Sequence, residues 1–151
     1  MPDSKDEVAD HFDKLAYAVS LLNGAERLAH TARGQPIATI GIPFYLLIGF
    51  SIENGIKALL DFQRCEGGWR KSHDLGDLLS RTKDLRELLW PGAEDSILHL
   101  SRYHKEHWFR YPEKATTADV YSSQTTLILV DHLLTMIARL TNYHPEKSHC
   151  G

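Results

Sequence analysis

Cysteine is scarce in this chain. Its two residues, Cys65 and Cys150, are too few for a disulfide framework and read as free thiols, which suits a reducing compartment. Long hydrophobic runs are missing as well. The most apolar stretch, IATIGIPFYLLIGFSI at 37–52, holds a proline and two glycines and then meets Glu53, so it falls short of a membrane span. The opening MPDSKDEVADHF is acidic and lacks the basic region and apolar core of a signal peptide. Together these absences lead us to expect a cytoplasmic protein with no membrane contact. There is no block of like charge, and the formal net charge is −3, which argues against a protein that coats nucleic acid through bulk electrostatics. Any contact with a polyanion must be local. Internal repeats, low-complexity tracts and sustained period-two alternation are also absent, which leaves little room for a repeat array or a sheet protein.

What is present is helical spacing. The 151 residues suffice for one domain, 1–151, with a core of its own, and 42% of them are hydrophobic against 25% charged. Val8, Phe12, Leu15, Val19 and Leu22 form one apolar stripe, Ser4 with Glu7 has capping-box spacing, and RGQP at 33–36 ends the segment. From Pro43 to about Cys65 the chain is apolar on almost every face, which predicts a central helix that starts near Pro43 and stops at EGG, 66–68. One bundle of this size would struggle to cover every face of it, so a homodimer is expected. Ser72 and Asp74 cap a short helix bearing Leu75, Leu78 and Leu79, and DLRELLWPG adds about one more turn. Ile97, Leu100, His104 and Trp108 extend a helix from Ala93 to about Phe109, closed by Pro112, while Val120, Leu127, Val130, Leu134 and Ile137 make a last long stripe ending near Tyr143. Trp69, Trp90 and Trp108 read as core or edge-of-core residues. The expected fold is all-α, an up-and-down helical bundle of about five helices.

Three pieces of this chain carry candidate chemistry. Glu53 and Lys57 stand i, i+4 in the favourable order on the apolar helix, His73, Asp74 and Leu75 open the next one, and Arg110, Tyr111 and Pro112 follow a stretch, SRYHKEHW, that mixes cations with aromatic rings. In this order and spacing, over roughly residues 40–140, they resemble the HEPN family of small helical domains, found alone or beside minimal nucleotidyltransferases. The resemblance implies a helical bundle, commonly homodimeric, associated with nucleotide binding or metal-independent RNA cleavage. Cleaving members carry an Arg followed closely by a His, and Arg102 with His107 fits, four residues lying between. A related pattern places a Tyr two residues after that His, a site of nucleotide modification in toxin–antitoxin pairs; Phe109 stands there instead.

The chemistry asks for these residue types. A metal-free cleavage needs a group of near-neutral pKa to move the 2′-OH proton, which His supplies, and a fixed cation beside the phosphorus oxygens, which the guanidinium fork supplies. Five positions apart on one helix, Arg102 and His107 would point to somewhat different faces, so such a site works best across a dimer axis. Arg139 and His144 share the spacing, and only the place of Arg102 and His107 before Arg-Tyr-Pro singles them out. Arg110 could grip a phosphate and Tyr111 stack on a base, or the two could pair with a carboxylate and pack under a loop. Glu53 and Lys57 read first as a structural pair, partly buried, and His73 with Asp74 as a capped helix start. His104, His107 and His99 could seed a metal site, but His99 lies five residues from His104 and no second helix offers a ligand pair, so no metal and no cofactor is expected. The expectation is therefore a nucleotide- or RNA-phosphate-binding protein that acts as a metal-independent endoribonuclease, with Arg102 and His107 as catalytic residues and Arg110, Tyr111, His104, Glu53 and Lys57 binding substrate. The alternative is a non-catalytic homodimeric module that binds a partner such as a nucleotidyltransferase, and the overall acidity favours it.

Overall fold

The computed structural model describes residues 4–31, 37–107 and 122–142, the side chains of 4–10, 31 and 37–42 aside. Among these residues there is no strand, and the chain is an all-α helical bundle, as the spacing predicts. The helices among the described residues are α1 (Ser4–Thr31), α2 (Ile37–Phe62), α3 (Leu75–Ser80), α4 (Lys83–Leu88), α5 (Ala93–His104) and α6 (Ser123–Thr141), with a 3₁₀ turn at Gly68–Lys71.

Two boundaries differ from the sequence expectation. Helix α2 begins at Ile37, which puts Pro43 in its second turn instead of at its start. The ring removes only the bond that residue 43 would make to the carbonyl of residue 39, and the rest of the long helix absorbs that loss. Helix α5 stops at His104, not near Phe109. The Lys105 amide still bonds the Ser101 carbonyl at 3.1 Å, but the His107 amide turns back to His104 at 3.0 Å, and His107 adopts φ 56. That left-handed backbone ends the helix, so Arg102 and His107 are not on one helix. Trp108, Phe109, Pro112, Val120, Tyr143, His144 and Cys150 lie outside the described residues.

Helices α1 and α2 pack antiparallel. Ser51 Oγ donates to the Ala18 carbonyl at 2.7 Å, Gly24 faces Leu47, and Lys14 pairs with Asp61. Leu15 and Leu22 of the first stripe are buried, with Phe12 and Val19 packed against the core at partial exposure. Helix α6 runs in the same direction as α2: Tyr45 bonds the Thr126 side chain near one end, and Gly55 meets Leu134 and Ile137 near the other. A Cβ at Gly55 would stand 2.5 Å from Leu134 Cδ2, so the missing side chain sets that close approach. The short helices α3 to α5 carry the chain back between the two.

Within this single chain Ile48, Ile52, Ile56, Leu59 and Leu60 of α2 have no exposed surface. These positions are covered within one chain, whereas Phe62 at the end of α2 is 39% exposed. Trp69 is fully buried, donates its indole N–H to the Cys65 carbonyl at 2.8 Å and lies 4.3 Å under the Arg70 guanidinium. Trp90 sits at the edge, stacked on His132 with ring centres 4.0 Å apart. No helix of the described residues is long and apolar enough to cross a membrane, and Cys65 is a free, half-buried thiol.

The start of α3 ties it to α5. Asp74 Oδ1 accepts from the amides of Gly76 at 3.0 Å and Asp77 at 3.2 Å, and from Ser101 Oγ of α5 at 3.0 Å. The expected capping role of Asp74 is what the structure shows. Removing it strands the Asp77 amide and the Ser101 hydroxyl and leaves the Gly76 amide only its longer bond to Ser101 Oγ at 3.3 Å. Asp74→Ala should lower stability by about 2 kcal/mol in urea unfolding, and Asp74→Asn, which keeps an acceptor, by less than half as much.

Candidate functional site at the junction of α2, α3 and α5

Midway along α2, Glu53 turns a carboxylate into the bundle with 5% of its surface exposed. An ion at that depth requires partners, and three elements supply them. His73, just ahead of the Asp74 cap, brings Nδ1 to 2.7 Å from Glu53 Oε1. His104, the last residue of α5, brings Nε2 to 3.1 Å from the same oxygen. Lys57, one turn along α2, places Nζ 3.4 Å from Oε2 and makes a shorter bond, 2.8 Å, to the Arg70 carbonyl of the 3₁₀ turn.

The sequence dictates this convergence locally. Ser101 and His104 are three apart on α5 and share its inner face, so the bond of Ser101 to Asp74 also aims His104 at α2. Gly49 lets the imidazole lie against the α2 backbone, because a Cβ there would overlap the His104 ring. The edge of Phe50 closes the ring from another side, centroids 5.0 Å apart.

The electrostatics follow. Burial by itself would raise the Glu53 carboxyl, but hydrogen bonds from His104 and His73 and the charge of Lys57 outweigh it and bring the pKa from 4.5 down to about 2. Asp74 is likewise held below its ordinary value: burial opposes this, and the Asp77 amide, Ser101, Lys105 and the Gly76 amide prevail.

Burial divides the cluster. Glu53, Lys57 and His104 are inside at 5%, 8% and 3% exposure, whereas the His73 side chain is 42% exposed. The His107 ring stands 5.2 Å from His73 and the His104 ring 6.4 Å from it. Of the residues singled out from sequence, Glu53, Lys57 and His104 meet in one network, and His107 flanks it. Arg102 does not join them: it is exposed, on the side of α5 away from Ser101 and His104. Arg110 and Tyr111 lie outside the described residues. Glu53 and Lys57 do form the expected buried pair, completed by two imidazoles on Glu53 and a backbone carbonyl on Lys57.

His73 is the member that sequence reasoning undervalued, as a capping neighbour. Its signal was its place next to the Asp74 cap, which points it back toward the helix before. The sequence-level metal trio of His99, His104 and His107 is not the group that forms. Glu53, His73 and His104 are, each with a ligand-type atom within 4.8 Å of the others.

Comparison with protein-family models, curated proteins and solved structures gives no match for this chain. The HEPN resemblance therefore rests on the motif residues themselves.

Because the folded pKa of Glu53 lies below the unfolded one, its stabilisation is full above about pH 4.5 and is lost as the pH falls toward 2. The contribution is on the order of 3 kcal/mol. Glu53→Gln should be less stable at pH 7 and should show a flatter loss between pH 4.5 and 2, measured by urea midpoints across that window.

Proposed function

We propose that this chain is a HEPN-type bundle that binds a nucleotide or RNA phosphate at the α2–α3–α5 junction and cleaves RNA without a metal. One observation carries the reading: Glu53 with Lys57, His73 with Asp74, and the end of α5, far apart in sequence, meet in a single hydrogen-bonded cluster that opens to the surface at His73. The first two are stretches on which the resemblance rests; its third, Arg110, Tyr111 and Pro112, lies outside the described residues. Glu53 holds His73 by Nδ1 on a half-exposed side chain, and the His107 ring stands beside the His73 ring. Two imidazoles at that separation divide the work of transesterification. One takes the 2′-OH proton as the 2′-oxygen attacks phosphorus, and the other gives a proton to the leaving 5′-oxygen. Arg102, on the outer face of α5, then contributes to phosphate capture from a neighbouring copy or strand rather than from within the cluster.

The burial of Glu53, Lys57 and His104, the exposure of Arg102 and the net charge of −3 favour a second reading. In it the cluster is structural and the chain is a non-catalytic homodimeric module for a partner such as a nucleotidyltransferase.

A thermal-shift screen with mononucleotides separates the two. Binding at one hundred times Kd adds about 2.7 kcal/mol and moves the transition visibly, whereas no shift with any nucleotide favours the module. Cleavage is read with chelator present. His107→Ala and His73→Ala should each slow it by roughly 10²-fold or more, and RNA left intact by stoichiometric protein removes the enzyme claim.

A further inference from the structure

From the three donor atoms that converge beside α2 we infer that Glu53, His73 and His104 form a binding site for one divalent transition-metal ion of the zinc class. The inference does not depend on the phosphate-binding reading, which needs no metal. Glu53 Oε1 lies 2.7 Å from His73 Nδ1 and 3.1 Å from His104 Nε2, and all three atoms fall within 4.8 Å of one another. Bonds of about 2.0–2.1 Å to a tetrahedral ion set such atoms roughly 3.3 Å apart. Reaching that arrangement opens the two carboxylate–imidazole pairs by a few tenths of an ångström and draws the two nitrogens together. His73, at the surface on a short connection between the 3₁₀ turn and α3, is the member able to move.

Chemistry selects the ion. Two neutral imidazoles and one carboxylate suit zinc, cobalt or nickel, while magnesium and calcium prefer all-oxygen shells. Each imidazole must turn its lone pair to the ion and carry its proton on the other nitrogen, which for His104 is the one beside Gly49 and for His73 the outward one. Lys57 opposes the ion but does not occupy its place. It sits on Oε2 at the longer distance of 3.4 Å, and its shorter bond at 2.8 Å ties it to the Arg70 carbonyl, leaving Oε1 for the metal. Its positive charge lowers the affinity for a cation. Three protein donors leave a fourth position for water or another oxygen donor.

The test uses the full chain, stripped with chelator and dialysed. Titration with Co²⁺ should give one equivalent with the strong visible absorption of a four-coordinate ion, Zn²⁺ should displace it, and Mg²⁺ should not. His73→Ala, a change at a half-exposed side chain, should keep its far-UV circular dichroism and weaken Co²⁺ binding at least tenfold. His132→Ala, on α6 against Trp90, should bind as the parent does. Absence of any binding up to millimolar Co²⁺, displacement by Mg²⁺, or stoichiometric binding undiminished in His73→Ala would overturn the site. Nucleotide binding and RNA cleavage in chelator are read separately, so the failure of either idea leaves the other measurable.

Discussion

The structure depends on keeping one buried carboxylate satisfied. Moving Glu53 out of water costs several kcal/mol, and no single neighbouring element can return that much. Its partners come from the connection before α3, from the last residue of α5 and from the next turn of α2. Each arrives only if its own segment is in place, so the carboxylate acts as a registration point for the short middle helices. Hydrophobic burial drives α1, α2 and α6 together but says little about where α3 and α5 must stop along α2; the ion does.

A second carboxylate extends the same logic. Asp61, near the end of α2, pairs with Lys14 of α1 and with Arg70 of the 3₁₀ turn at 2.9 Å. The backbone carbonyl of Arg70 in turn holds Lys57. One residue thus links the two carboxylates through its side chain and its main chain. The buried Trp69 under the Arg70 guanidinium fixes the turn that makes this possible. Glu53, Lys57 and Asp61 follow one another at four-residue steps along one side of α2, next to the 3₁₀ turn, where apolar packing alone would specify position poorly.

Much of the fold was legible in the sequence because it follows from period. The stripe of Leu15 and Leu22, the burial of α2 from Ile48 to Leu60, the Asp74 cap and the stripe of Val130, Leu134 and Ile137 are consequences of helical spacing and local capping chemistry. The end of α5 was not legible, because Tyr103 through Trp108 continue the helical pattern while the backbone turns left-handed at His107. Glu53, Lys57 and His104 could be marked as polar residues on apolar stripes. That two imidazoles would meet on one carboxylate oxygen could not, since the pairs 53–73 and 53–104 span loops whose closure no local pattern encodes. Arg102 is the reverse case. Residue type and spacing nominated it, yet it follows Ser101 directly, and the inward bond of Ser101 sends its neighbour outward.

The asymmetry between the two histidines bears on what the cluster is for. If Glu53 were only a structural ion, Lys57 and a buried imidazole would suffice, and apolar residues of similar volume could replace the group at little cost to stability. His104 answers to that description: it is buried, pinned by Gly49 and Phe50, and committed to Glu53. His73 does not. It spends the shortest hydrogen bond of the network on a side chain that remains 42% in solvent, with a second imidazole at its shoulder. A carboxylate that orients a half-exposed imidazole leaves a ring nitrogen presented outward at a fixed angle, the arrangement that proton transfer and ligand capture both need. The same bond also helps to hold the buried Glu53 in its charged form.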